Sequence, residues 1–195
     1  MKILLATRNV KKLVELQRIL AGVSLVGLDD VPAYDEIPES GLTFAENALI
    51  KAREGAGRSG LPTVADDSGL AVDALNGMPG VFSARWSGRH HDDLANLELV
   101  LSQIADLPDS VRGATFVCAA VLALPDGREW TVHGEMRGRL VRSPRGTGGF
   151  GYDPIFVVDG ETRTNAELSP VAKDAISHRG KAFRALAQII AKELG

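Results

Sequence analysis

MKILLATRNVKKLVELQRIL, residues 1–20, is the stretch that decides the fold class. Lys2 to Ala6 is a short apolar run of strand length. The segment after it carries apolar residues at 13, 16, 19 and 20, a helical stripe that ends at Gly22. A buried strand feeding straight into an amphipathic helix opens an α/β protein.

Working outward, the same alternation continues. A second strand is expected near Ser24 to Leu28, followed by a polar loop with Pro32 and Pro38. TFAENALIKARE begins with Thr43 and Glu46 at the spacing of a capping box, which marks a helix start. PTVADD reads as a strand, LAVDAL as a further extended piece, and DLANLELVLSQI as a helix stopped before Pro108. ATFVCAAVLAL, the turn PDGR and EWTVHGEM read as an antiparallel pair, which makes the sheet mixed. A glycine-rich loop, SPRGTGGFGYDP, then leads to the strand IFVV and a last helix with Phe183, Leu186, Ile190 and Leu194 on one face.

The chain has 195 residues, enough for one well-cored domain, and a single domain over 1–195 is expected. With 45% hydrophobic and 24% charged residues it is ordinary for a globular protein. A net charge of −3 gives no general attraction to nucleic acid or acidic membrane, so an anionic ligand must be met by a local cluster of donors. The lone cysteine, Cys118, lies in an apolar run and reads as a small core residue in a reducing compartment. MKILLATRN is too short in apolar residues for a signal-peptide core, and Phe116 to Leu124 is too short for a membrane span. A cytoplasmic protein is expected.

Four segments carry residue types suited to chemistry. LLATRNVKK places Thr7, Asn9 and two lysines at a strand-to-helix turn, which suits either a phosphate cradle or a plain helix cap. TVADDSGL sets Asp66 beside Asp67, suited to holding a hard divalent cation or deprotonating water, or simply to forming a turn. Adjacent strand residues point to opposite faces, so at most one of these acids can easily serve a given site. GTGGFGYDPIF frees the backbone for close approach and offers Phe150 and Tyr152 as flat faces, with Asp153 as an acceptor, suited to a nucleobase or to a glycine-rich hairpin. KDAISHRGKAF gathers Lys173, His178, Arg179 and Lys181, either a clamp for phosphate or a carbonyl oxygen, or a solvated basic face.

Together, ATRNVKK with Glu15, ESGLTFAENALIKA, ADDSGLAVDALNGMPGVFSARWSG, GTGGFGYDPIF and AISHRGKA resemble, in this order, the motifs of the inosine/xanthosine triphosphate (dITP/XTP) pyrophosphatases. The likeness runs from residue 3 to about 185, and five motifs in sequence are far more specific than any one. Arg8 sits where that family varies, and Phe82 and Trp86 stand where tyrosine is frequent.

The resemblance implies an elongated mixed β-sheet with flanking helices, two lobes around a nucleotide-binding cleft, and a homodimer. It implies hydrolysis of ITP, dITP and XTP to the monophosphate and pyrophosphate with Mg²⁺, removing deaminated purines from the nucleotide pool. By motif position, the loop Thr7, Arg8, Asn9, Val10, Lys11 and Lys12 would surround the triphosphate, with Lys51 a further contact. Asp67 would be proton acceptor and metal ligand, and Glu39 the second ligand. Ser68, Phe150, Gly151, Tyr152, Asp153, Lys173, His178 and Arg179 would contact the nucleotide. Asp66 would brace the strand end. A related enzyme for modified pyrimidine nucleotides and a regulator that binds nucleotides without catalysis are the alternatives; SHRGKA argues against the first, and the presence of Glu39 and Asp67 against the second.

Overall fold

The computed structural model describes residues 2–35, 37–89 and 92–195. The architecture is α/β. Six strands, β1 (Ile3–Leu5), β2 (Leu25–Val26), β3 (Thr63–Val72), β4 (Gly113–Ala123), β5 (Glu129–Leu140) and β6 (Phe156–Val158), form one sheet in the order β2-β1-β3-β4-β5-β6. β1 is parallel to β2, with Ile3 opposite Leu25, and to β3, with Leu4 opposite Thr63; β6 is antiparallel to β5, with Gly138 opposite Val158. The helices are α1 (Val10–Ile19), α2 (Phe44–Ser59), α3 (Asp93–Gln103), α4 (Pro170–Ile176) and α5 (His178–Leu194). No helix among the described residues is long and apolar enough to cross a membrane.

The chain divides into two compact units. The first comprises Met1–Asp67, Cys118–Gly134 and Arg179–Gly195, and the second Ser68–Val117 and Glu135–His178. In the first unit, side-chain alternation on the strands creates two different faces. Ile3, Leu5, Val64, Cys118 and Leu122 pack with Leu16 of α1, Leu20 at its C-cap, and Phe183 and Leu186 of α5. Ala6, Ala65, Ala119 and Val121 pack with Ala48, Ala52 and Ala56 of α2. The small side chains let α2 lie close: a Cβ at Gly55 would stand 2.6 Å from Thr63 Cγ2. The second unit buries Leu70, Leu97, Val100, Ile104, Met136 and Phe156 in its own core.

Two elements differ from the sequence expectation. PTVADD and LAVDAL are one continuous strand as far as Val72, and only Asp73–Leu75 turns away, as a short 3-10 helix. Gly69 explains the continuity. A Cβ there would overlap Ser83 Oγ and Gly80 O, and the same Ser83 hydroxyl accepts from Leu70 N–H at 2.9 Å, stapling the 80–85 turn onto the strand. Asp66 and Asp67 therefore lie within a strand, not at its end. The second difference is α4, a separate helix before the last one, begun by Pro170 with the Ser169 hydroxyl accepting from Ala172 N–H at 3.2 Å.

Candidate active site

The question raised by the adjacent acids is answered by the two faces of β3. Val64 belongs to the face covered by α1 and α5, and Ala65 to the face covered by α2. Two residues further along, alternation sends Asp66 to the first face and Asp67 to the second. Both are buried.

Asp67 meets α2. Its Oδ2 accepts from Asn47 Nδ2 at 3.1 Å, and its Oδ1 lies 3.7 Å from Lys51 Nζ. Lys51 Nζ also donates to Glu39 Oε1 at 2.6 Å, so one ammonium joins the two acids. Burial pushes the Asp67 carboxyl above its ordinary pKa, against the lowering pull of Lys51 and Lys12, and the nearby Glu39 adds to the rise. A raised pKa makes the carboxylate a stronger base. For Lys51, burial disfavours the charge, but the Asp67, Glu39 and Asp66 carboxylates outweigh it, and the ammonium is held more firmly than usual.

Asp66 meets α1 and α5. Its Oδ2 accepts from Lys12 Nζ at 3.0 Å, stands 3.5 Å from Arg179 Nε, and receives the Cys118 thiol at 3.9 Å. Arg179 Nη1 donates to Glu15 Oε2 at 2.6 Å. Where the sequence expectation has Arg179 meeting a nucleotide, its guanidinium is buried and directed at Glu15 and Asp66. The cause is electrostatic: burial opposes the charge, and Asp66 and Glu15 restore it, leaving the pKa raised.

The loop ahead of α1 is a capped helix start. Asn9 Oδ1 accepts from Lys11 N–H at 3.0 Å and Lys12 N–H at 3.1 Å, and Thr7 Oγ1 accepts from Asn9 N–H at 3.2 Å. Arg8 is exposed and donates to Tyr34 O at 2.8 Å, and Val10 is exposed. Thr7, Asn9 and Lys12 thus sit on one turn, with Lys12 drawn inward to Asp66 and Lys11 left outward.

In the second unit, Asp153 is the hub of the glycine-rich loop. Its carboxylate accepts from Phe150 N–H at 2.9 Å, Asn165 Nδ2 at 3.1 Å and Lys173 Nζ at 2.6 Å. Lys173 Nζ also lies 5.0 Å from the centre of the half-buried Phe150 ring. Gly151 N–H donates to Asp93 Oδ2 at 3.1 Å. Tyr152 corrects the sequence reading: it offers no flat face to a ligand, because it is buried in this unit's core with its hydroxyl donating to Ser83 O at 2.9 Å. His178 is buried too, its ring stacked on Phe116 at 4.8 Å, and Ser68 is half-buried on β3.

The family model described as the Ham1 family matches residues 3–189. The chain belongs to the Ham1 family. It is 62% identical to a protein of Nocardia farcinica (strain IFM 10152) named dITP/XTP pyrophosphatase, over 97% of this chain and 95% of that one. Among solved structures, the nucleoside-triphosphatase, or dITP/XTP pyrophosphatase, of Mycobacterium abscessus is 62% identical with a TM-score of 0.79, covering 95% of this chain and 98% of that one. A HAM1 protein of Coxiella burnetii superposes with a TM-score of 0.88 at 42% identity, covering 98% and 99% of the two chains.

For this Ham1 chain the donor chemistry can be matched to a metal. Among the described residues no three His, Cys, Asp or Glu side chains gather into a metal cage. Two carboxylates, Glu39 and Asp67, do converge on one positive charge, the Lys51 ammonium. Hard oxygens in that number suit Mg²⁺, which takes one or two carboxylates and completes its shell with water and phosphate oxygens. Sequence reasoning missed Asn47, which is fully buried against Asp67. A signal existed: the capping box fixes the phase of α2, and Asn47 lies four residues before Lys51 on the same helical face.

Proposed function

We propose that this chain hydrolyses dITP, ITP and XTP to the nucleoside monophosphate and pyrophosphate. The observation that carries the proposal is the meeting of Lys51 with both Glu39 and Asp67, a base and a second acid arranged around one cationic position. The relatives named dITP/XTP pyrophosphatase support it through their identity over nearly the whole chain.

On this reading Thr7, Arg8, Asn9, Val10, Lys11 and Lys12 surround the triphosphate at the α1 N-terminus, where free N–H groups and the helix dipole favour anions. Lys51 and Lys173 share the remaining phosphate charge. Asp67 takes the proton of the attacking water as its oxygen bonds to phosphorus, and the bridging bond between the α- and β-phosphates breaks to release pyrophosphate. Mg²⁺, held by Glu39 and Asp67, would neutralise phosphate charge and make water easier to deprotonate. Ser68, Phe150, Gly151 and Asp153 contact the nucleoside, and Tyr152, buried in the core, supports the loop they lie on. His178 and backbone N–H groups satisfy the oxygen at C6 of the base, while Arg179, bound to Glu15 and Asp66, holds the charge of the α1–α5 face. Adenine presents an amino group there and would leave donors unpaired, a mismatch that discriminates by about 10⁴–10⁵.

The proposal extends to one catalytic domain over residues 1–195, working as a homodimer in the cytoplasm on small nucleotides, without nucleic acid or membrane. The test is a panel of dITP, XTP, ITP, GTP and ATP with Mg²⁺, assayed separately for pyrophosphate and orthophosphate. Pyrophosphate from the deaminated purines, weaker turnover of GTP and least of ATP, is expected. Orthophosphate as the direct product, or ATP preferred to GTP, refutes the reading.

A further inference from the structure

We infer that Asn47 is a positioning residue that holds Asp67 and the Glu39 loop in mutual register, and so sets the spacing of the two carboxylates; this rests on the reading of Glu39 and Asp67 as metal ligands. Asn47 lies in the first turn of α2 and is fully buried. Its two polar atoms serve two different segments. Nδ2 donates to Asp67 Oδ2 at 3.1 Å, and Oδ1 accepts from Gly41 N–H at 2.8 Å. The chemistry fixes this orientation: with the amide reversed, its NH₂ would face the Gly41 N–H and its oxygen the carboxylate.

The loop that carries Glu39 is bound tightly to the same helical turn. A Cβ at Gly41 would stand 2.7 Å from Asn47 Oδ1 and 2.6 Å from Glu46 Cβ, so only glycine lets the backbone pass. The next two N–H groups, of Leu42 and Thr43, are both held by Glu46 Oε2 at 2.7 and 3.0 Å. Backbone N–H groups from Gly41 to Thr43 are thus anchored to α2, and Glu39 projects from just ahead of that anchor. Asn47 belongs to this anchor and also touches Asp67. With Asp67 Oδ2 engaged by the amide, Oδ1 is the oxygen nearer Lys51. Glu46 fixes the loop to the helix, whereas Asn47 fixes the loop to the base.

The experiment titrates Mn²⁺ into substrate-free protein and reads free Mn²⁺ by electron paramagnetic resonance. Wild type serves as the control for the underlying reading: it must bind Mn²⁺ and release pyrophosphate from dITP, and failure of either sinks that reading before Asn47 is considered. Asn47→Leu keeps the volume and removes both polar atoms. Removing a partner that orients metal ligands costs about 10–100-fold in metal affinity, and that rise in Kd is expected, with kcat falling more than KM rises. In an Asp67→Asn background the same Asn47→Leu change should have a much smaller effect, because the coupling runs through Asp67. Should Asn47→Leu show no cooperative melting, Asn47→Ser takes its place, since one polar atom on a shorter side chain cannot serve both partners. A folded Asn47 variant that binds Mn²⁺ within about twofold of wild type, or effects of the two substitutions that simply add, overturns the inference.

Discussion

Replacing Asp66 with asparagine separates the two adjacent acids by consequence. Asp66 is buried, and its Oδ2 takes a charge-assisted hydrogen bond from Lys12 at 3.0 Å, while Arg179 Nε at 3.5 Å is at the edge of hydrogen bonding. Losing a partner that leaves a buried charge uncompensated costs about 3–5 kcal/mol. Here the loss is smaller, because Arg179 keeps Glu15 at 2.6 Å and asparagine keeps one acceptor oxygen. One charge-assisted bond, worth about 1.5–3 kcal/mol, is the expected cost. In a chain of this size each kcal/mol lowers Tm by about 2–4 °C, so thermal melting should show a fall of about 3–12 °C. The kinetic signature should be a raised KM for dITP, since Lys12 loses the carboxylate that draws it inward, with a smaller change in kcat. Melting within about one degree of wild type would refute the account of Asp66 as the charge partner of the α1–α5 face. A loss of kcat as large as that of Asp67→Asn would refute the separation of roles.

Asp67→Asn removes the proposed base and a metal ligand together, so turnover should fall well beyond 10²-fold, about the lower limit of general-base assistance; a folded variant with near wild-type turnover refutes the assignment. Arg112, buried in the second unit, fans its guanidinium onto Leu140 O, Ile104 O and Val141 O at 3.0, 2.6 and 3.1 Å. Arg112→Lys should lower unfolding free energy by about 1.5–4.5 kcal/mol in urea, because an ammonium cannot reproduce the fork, and an unchanged midpoint contradicts this. Asp73, paired with Arg137 and half exposed, has its carboxyl held below the ordinary range chiefly by that hydrogen bond. A lowered folded pKa contributes stability above the ordinary carboxylate pKa and loses it as pH falls through the folded value. Asp73→Asn should therefore be less stable than wild type at pH 7 by under about 1 kcal/mol, with the gap closing below about pH 4; a gap that widens in acid is the refuting result.

The parts of the molecule that follow from local pattern are legible in the sequence. The α1 stripe at Leu13, Leu16 and Ile19, continued by Leu20 at the C-cap, and the Thr43–Glu46 cap are visible because period and capping act within a few residues. The full length of β3 is not legible locally, because its continuity depends on Ser83, distant in sequence, filling the space left by Gly69. The burial of Tyr152 is hidden for the same kind of reason: an aromatic in a glycine-rich loop reads as open, and only the fold brings Ser83 O to its hydroxyl. The acid pair marks the boundary between the two situations. Alternation predicts that Asp66 and Asp67 face opposite ways, yet which helix covers each face is a property of the packed sheet. Once α2 is placed, its alanines admit the close approach that brings Asn47 and Lys51 to Asp67, while α1 and α5 bring Lys12 and Arg179 to Asp66. The two carboxylates thus acquire different chemistry from the layers they border: burial against the α2 layer raises the Asp67 pKa over the lowering pull of Lys51 and Lys12, and the opposite face supplies Asp66 with both Lys12 and a guanidinium.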